Sequence, residues 1–347
     1  YDKGFLHCDL LVIGSGPSGL MAALTAGRAG AQVIIADEDF LLGGRLNAET
    51  FGIGDLTGAA WVAQVQADLA AMPNVRVMPR TTIIGAFDHG IYGAVERVAD
   101  HVLAPEAGKP RQILWRVYSK RALLCAGSTE RPIAFENNDR PGVMLAGAVR
   151  AYTNRWAAAP DQTVAVFTNN DDGHRTAADL IAKGVKVTAV IDTRPDAPKV
   201  EGAELFAGAQ VIDTKGRLGL EAARVRLADG TTRDIPCGAL AVSGGWNPNV
   251  HLTCHQRGRP AWREDIAAFV PAGDIPAGMS VAGAANGAFS TAAALRTGAE
   301  SAAASLAELG IEAKPADLPE AEDAPVSITP FWFVKEGKGR AWLDQQN

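Results

Sequence analysis

The turn Gly14-Ser15-Gly16-Pro17-Ser18-Gly19 constrains this chain more than any other feature. It follows an apolar run from Cys8 to Ile13 and opens an alanine-rich helical stretch reaching Ala29, with Gly30 where a helix C-cap belongs. A second apolar run, Gln32 to Ala36, ends in Asp37, Glu38 and Asp39. Strand, glycine turn, helix, strand and acid is the order of a βαβ unit that binds a dinucleotide. Gly14 permits the tight turn, Gly16 lets backbone approach a pyrophosphate, and Gly19 lets helix and strand pack closely, while the helix start around Ser18 faces the phosphates. Asp37 is the expected acceptor for ribose hydroxyls. An acid there repels a 2′-phosphate, which favours NAD or FAD over NADP. Glu38 and Asp39 extend the acidic cluster, although Asp39 reads equally well as a solvated loop edge. Gly43-Gly44-Arg45 follows, placing Arg45 as a fork donor toward the pyrophosphate.

Helical periodicity recurs over 57–72, and Asn74 to Met78 reads as a strand. Alternation from Ile83 to Arg116 predicts antiparallel strands with a loop around 105–110, and Arg121 to Ala126 a separate buried strand running into Gly127. A turn at Pro141-Gly142 precedes a helix ending near Trp156. A second nucleotide-type unit starts at Thr163, with strands at 164–168 and 185–191 around a helix over 173–183. Asp229-Gly230 marks a hairpin beyond it. Where that unit needs a glycine turn it has Asn169-Asn170-Asp171-Asp172-Gly173. Those side chains block close phosphate approach and the acids repel it, so the second site reads as vestigial. A strand at 279–283 and a helix over 290–309 return to the style of the first unit, 312–326 reads as a linker, and 329–343 is aromatic.

Composition excludes several classes. A net charge of −6 disfavours a nucleic-acid surface. No run of roughly 20 apolar residues suits a membrane span. No signal peptide is visible, and Tyr1 is no initiator, so the chain is expected to be processed or cut from something longer. Cys8, Cys125, Cys237 and Cys254 form no Cys-x-x-Cys pair, which argues against a dithiol redox pair, a zinc ribbon or an iron–sulfur cluster and suits a reducing cytoplasm. His251-x-x-Cys254-His255 lacks a matching second cluster and reads as ordinary loop or core rather than metal site. No Gly-x-Ser-x-Gly elbow is present.

Two further segments resemble those of flavoproteins with two dinucleotide domains. Leu124-Cys125-Ala126-Gly127-Ser128 is similar to their strand and Ala-x-Gly turn, and Ser280 to Gly287 to their Ala-Gly-Asp segment. In flavin-binding relatives an acid after the glycine corresponding to Gly283 holds the ribityl chain. Here that place is Ala284, which removes a strong acceptor and favours NAD over FAD. The resulting fold class is α/β: two Rossmann-like dinucleotide-binding domains of the FAD/NAD(P)-binding, disulfide-reductase-like flavoprotein type, the second inserted in the first. The expected boundaries are 1–157 with 265–312 for the first domain and 158–264 for the second, degenerate one. Residues 313–347 are expected as linker and start of a missing C-terminal domain.

Nearly the whole chain resembles the α subunits of heterotetrameric sarcosine oxidases. The resemblance rests on Tyr1-Asp2-Lys3, His7-Cys8-Asp9, the GSGPSG turn, Ala36-Asp37-Glu38, Leu42-Gly43-Gly44 and Asn138-Asp139-Arg140-Pro141-Gly142-Val143-Met144. It rests most specifically on Ser243-Gly244-Gly245-Trp246-Asn247-Pro248 and Gly283-Ala284-Ala285-Asn286-Gly287-Ala288-Phe289. The resemblance implies oxidation of sarcosine by O2 to glycine, formaldehyde or methylene-tetrahydrofolate, and H2O2. The chemistry is then at FAD on a β subunit, with FMN between α and β, small subunits completing the assembly, and tetrahydrofolate on a domain outside this chain. For this chain it implies a non-catalytic NAD and no catalytic residue. NAD contacts are expected from Gly14, Gly16, Ser18, Gly19, Asp37, Glu38, Asp39, Gly44 and Arg45. The adenine edge is expected at Thr82 to Ile84, and the far end at Ala126, Gly127, Gly283, Ala284, Phe289 and Thr291, with Phe289 equally plausible as core. Alternatives are an FAD-dependent NAD(P)H oxidoreductase, an α subunit of a related amine, opine or proline dehydrogenase, or an empty scaffold.

Overall fold

A computed structural model describes residues 1–324, 326–335 and 339–343. In chain order, the first elements are β1 (Asp2–Ile13), α1 (Pro17–Arg28), β2 (Val33–Ala36), the short pair β3 (Gly52–Ile53) and β4 (Leu56–Thr57), and α2 (Gly58–Ala70). Four strands follow: β5 (Val75–Met78), β6 (Thr81–Phe87), β7 (Ile91–Arg97) and β8 (Gln112–Leu124). Next come β9 (Ser128–Glu130), β10 (Val143–Leu145), α3 (Ala146–Trp156), β11 (Thr163–Thr168), α4 (Asp171–Ala182), β12 (Lys186–Asp192) and β13 (Leu205–Ala207). The chain continues with β14 (Gln210–Lys215), β15 (Ala222–Arg226), β16 (Thr232–Pro236), β17 (Ala239–Ser243), β18 (Trp246–Pro248) and α5 (His251–Cys254). It then forms β19 (Ala261–Arg263), β20 (Ala268–Val270), β21 (Met279–Val281) and α6 (Thr291–Ala307).

The first sheet has seven strands in the order β5-β2-β1-β8-β7-β6, with β21 parallel beside β8. Leu10 to Val12 and Val33 to Ala36 are buried on both faces, which is why they read as unbroken apolar runs. Helices α1 and α6 cross on one side through small residues, and a Cβ on Gly298 would overlap the Ser18 backbone. The inserted second sheet is parallel, in the order β10-β17-β11-β12-β13, followed by the antiparallel β14-β15-β16. The Asp229-Gly230 hairpin lies between β15 and β16 as expected, with Gly230 at φ +84°. The antiparallel ribbon of β9 and β18 carries the chain between the two sheets, with Glu130 opposite Trp246.

Several expectations need correction. The strands expected before Arg116 and from Arg121 are one 13-residue strand, β8. Its first half pairs antiparallel with β7, and its second half joins the parallel core beside β21, while β1 pairs along both halves. Residues 143–157 were expected in the first domain. Instead β10 pairs with β17, and Ala146 and Val149 of α3 pack into the second core, because three apolar residues before the helix suffice to add an edge strand. Conversely Leu252, expected in the second domain, packs into the first.

The segment expected as a linker is packed. The Ala316 N–H donates to the Thr25 hydroxyl at 3.0 Å and the Gly54 N–H to the Glu320 carbonyl at 2.7 Å. Further on, Ala134 donates its N–H to the Trp332 carbonyl at 2.8 Å and accepts the Val334 N–H at 2.9 Å, and Val334 is buried in the second core. Small apolar side chains spaced among prolines and acids give this strap its contacts without a readable period.

Candidate dinucleotide site

The carboxyl ends of β1 and β2, the start of α1, β6, the Ala126-Gly127 turn and the start of α6 enclose a cavity of about 740 Å³. That is within the size range of cofactor sites. Gly14 has φ +100°, and a Cβ there would run into the Cys125 carbonyl. A Cβ on Gly19 would collide with the Gly14 carbonyl, so Gly19 is needed for packing and stands behind the cavity wall. A Cβ on Gly16 would meet nothing within 4 Å. The second glycine therefore faces open space at the first turn of α1, where backbone donors and the helix dipole favour an anion.

Asp37 ties this turn to β2. Its Oδ2 accepts the Ser15 N–H and hydroxyl, each at 2.6 Å, and its Oδ1 accepts the Asp39 N–H at 2.8 Å. A carboxylate offers about four acceptor positions, so one on Oδ1 remains open toward the cavity wall. Asp37 also positions β6, because its carbonyl accepts the Thr81 N–H at 2.7 Å. Glu38 is exposed on the cavity rim. Asp39 pairs with Arg155 at 2.7 Å. Burial pushes the Asp39 carboxyl up, but Arg155 and the backbone N–H groups of Leu41 and Phe40 outweigh this and hold it below its ordinary value.

Of the expected contacts, Gly14, Gly16, Ser18, Asp37, Glu38, Asp39, Gly44, Arg45, Thr82, Ile84, Ala126, Gly127, Ala284, Phe289 and Thr291 line the cavity. Gly19 and Gly283 do not. Gly283 has φ +67° and packs against Ser18, where a Cβ would strike the hydroxyl. Arg45 lines the wall, but its guanidinium is engaged: Nη2 donates to Asp172 at 2.7 Å, Nε donates to Glu49, and the plane lies over Trp246, 4.4 Å from the ring centroid. Nothing local in the sequence joins Arg45 to an acid 127 positions away.

Sequence reasoning missed Asn249, His251, His255, Arg175 and Glu322, which also line the cavity. Asn249 braces the Ala126-Gly127 turn: its side-chain amide donates to the Ala126 carbonyl at 2.8 Å and its N–H to Gly127 at 3.0 Å. His255 accepts the Ala86 N–H on Nδ1 at 3.2 Å. The signal for Asn249 was the Asn247-Pro248-Asn249 run beside the Gly-Gly turn. The His251-x-x-Cys254-His255 spacing stands out in the sequence, but it reads there as loop or core rather than as cavity wall.

Cys125 on the wall is buried, which pushes its thiol up to about 12, and burial likewise lifts Cys8 and Cys237 to about 11. None is a ready thiolate. The second unit's phosphate loop is filled by the protein itself. Asp171 donates its N–H to the Ser327 carbonyl at 3.1 Å, and Asp192, at the end of β12, is taken by His174 and Arg194.

Residues 9–85 match the family described as FAD dependent oxidoreductase. Sarcosine oxidase subunit alpha of Rhizobium meliloti (strain 1021) is 45% identical over 100% of this chain and 35% of its own length. Its namesake in Corynebacterium sp. (strain P-1) is 39% identical over 98% of this chain and 36% of its own. The chain thus spans about a third of these relatives. Among solved structures, L-proline dehydrogenase from P. horikoshii superposes with a TM-score of 0.66 at 22% identity, covering 91% of this chain and 58% of that one. Thioredoxin reductase from Lactococcus lactis gives 0.65 at 15% identity, covering 86% and 98%. These structures show the FAD/NAD(P)-binding, disulfide-reductase-like fold. Along its whole length the chain is homologous to about a third of sarcosine oxidase subunit alpha.

Proposed function

We propose that this chain is the NAD-binding portion of a multi-subunit flavoprotein amine oxidase, best read as sarcosine oxidase. In that reading, sarcosine and O2 become glycine, formaldehyde or methylene-tetrahydrofolate, and H2O2 on other parts of the assembly. A β subunit carries FAD and shares FMN, small subunits complete the complex, tetrahydrofolate binds a domain outside these residues, and the assembly works in the cytoplasm. The observation that carries the dinucleotide reading is the open face of Gly16 at the start of α1, with the spare acceptor of Asp37 beside it. The α1 backbone would hold the pyrophosphate, Asp37 a ribose, and Thr82 to Ile84 the adenine edge. Ala284, where an acid would hold a ribityl chain, favours NAD. When bound, NAD is a hydride carrier, but no cavity-lining cysteine is a ready thiolate to accompany such chemistry. The protein's part is to bind and bury the nucleotide.

A second reading, FAD in the same cavity, is favoured by the family match over residues 9–85. Mass spectrometry of nucleotide released by denaturing the purified chain separates the two. Stoichiometric NAD is the expected result. Stoichiometric FAD would replace the first reading with the second, and no nucleotide would leave only a scaffold.

A further inference from the structure

We propose that Asp172, in the first turn of α4, is a positioning residue for the dinucleotide cavity. It holds the Arg45 guanidinium so that the remaining N–H edge faces a bound diphosphate. The proposal rests on the dinucleotide reading above.

Asp172 does not line the cavity, and its side chain is 1% exposed. Its Oδ1 accepts Arg45 Nη2 at 2.7 Å and Arg150 Nη2 at 3.2 Å, and its Oδ2 accepts the Trp246 indole N–H at 3.0 Å. Glu49 accepts Arg45 Nε on the other side and Arg150 Nη2 at 3.1 Å. Trp246 supplies the face against which Arg45 lies. Arg45 is therefore fixed at two nitrogens and one face. Among the described residues none accepts from Nη1, and the side chain keeps 33% exposure on the cavity wall.

The position suits a diphosphate. Gly43 donates its N–H to the Ser15 carbonyl at 2.9 Å, and a Cβ on Gly44 would stand 3.1 Å from Gly16 Cα. Arg45 thus follows directly on the residue that touches the open glycine. An unsupported arginine carries about 2 kcal/mol of rotamer entropy that binding must overcome. Two carboxylates and an indole remove that freedom before the ligand arrives, which is preorganisation.

The same geometry gives the degenerate loop of the second unit a use. In an intact nucleotide unit, a ligand's phosphate sits at the helix start. Here Asp172 places an internal carboxylate at the start of α4, with Asn170 capping its N–H at 2.9 Å, and spends it on the other unit's arginine.

The test is titration calorimetry of the purified chain, freed of nucleotide, with NAD and with adenosine, which lacks the diphosphate. Asp172→Asn should weaken NAD about ten-fold, as expected for a lost charge-assisted contact, and leave adenosine within about two-fold. Arg45→Lys should do the same, and Asp172→Asn added to Arg45→Lys should cost nothing further. Equal losses for NAD and adenosine, or no loss for either, would overturn the proposal. If Asp172→Asn does not fold, Trp246→Leu, which removes the stacking face, must show the same selective loss of NAD or the proposal falls. A wild-type chain that binds no NAD would instead sink the dinucleotide reading beneath it.

Discussion

At the scale of single residues, the three glycines of the first turn have separable tasks. Gly19 is needed inside the protein, because any Cβ strikes the Gly14 carbonyl, whereas a Cβ on Gly16 would meet nothing within 4 Å, so the fold itself does not require that glycine. Gly19→Ala should therefore destabilise the fold by about 2 kcal/mol or more, as overpacking against backbone does. Gly16→Ala, at φ −66°, should melt within a few degrees of wild type yet lose at least about ten-fold in NAD affinity. Thermal melts with and without NAD check both: saturating NAD should raise the wild-type Tm, and Gly16→Ala should blunt that rise at equal NAD. If Gly16→Ala binds NAD normally, nothing rests against that glycine. The cavity residues legible in the sequence were those whose task is local, a turn glycine or a strand-end acid. Asp172 was not legible as a partner of Arg45, because its role depends on a contact between two sheets. His251 and His255 reach the wall only because α5 lies against β6.

At the scale of elements, long amphipathic or wholly apolar stretches were readable and mixed ones were not. β8 begins half-exposed beside β7 and ends fully buried, so its alternation dissolves midway and one strand reads as two. β10 is too short to carry a period. The ribbon of β9 and β18 was readable only as glycine-rich turn sequence, yet it holds a titrating group. Glu130 on β9 faces Trp246 and accepts the Gly147 N–H at 2.6 Å. Burial first, then the Asp172 charge, raise its carboxyl to about 7, against the opposing pull of Ser243, Gly147 and Arg45. A carboxyl raised in the folded state favours the fold while protonated. Its contribution is full below the ordinary value near 4.5 and is lost as pH rises through about 7. Glu130→Gln should match wild type near pH 4.5 and exceed it above pH 8 by up to about 3 kcal/mol. Urea unfolding at the two pH values is the check, and a difference independent of pH would show that Glu130 stays ionised in the fold.

At the scale of the whole molecule, two cores are joined by a ribbon, by a packed strap and by a ring of buried charges. In that ring Arg150, 2% exposed, bonds Asp172 at 3.2 Å and Glu49 at 3.1 Å, while Arg45 closes the other side. Burial pushes the Asp172 carboxyl up, but the Arg45 and Arg150 charges overcome this and hold it well below the usual carboxylate range. Arg150 Nε also lies 3.9 Å from Asp179, so three acids face two arginines, and removing an arginine strands buried carboxylates. Arg150→Met keeps much of the volume but leaves Asp172 and Glu49 sharing Arg45 alone, which should cost about 3–5 kcal/mol. Where the loss is felt distinguishes two pictures of the molecule. Arg150 rises from α3, which packs on the second core, and Glu49 belongs to the loop that leads into the first. If this ring couples the cores, the wild-type chain should unfold in one calorimetric transition and Arg150→Met in two, one core melting before the other. If the strap alone couples them, through Ala316 in the first core and Val334 in the second, the variant should still unfold in a single transition at lower temperature.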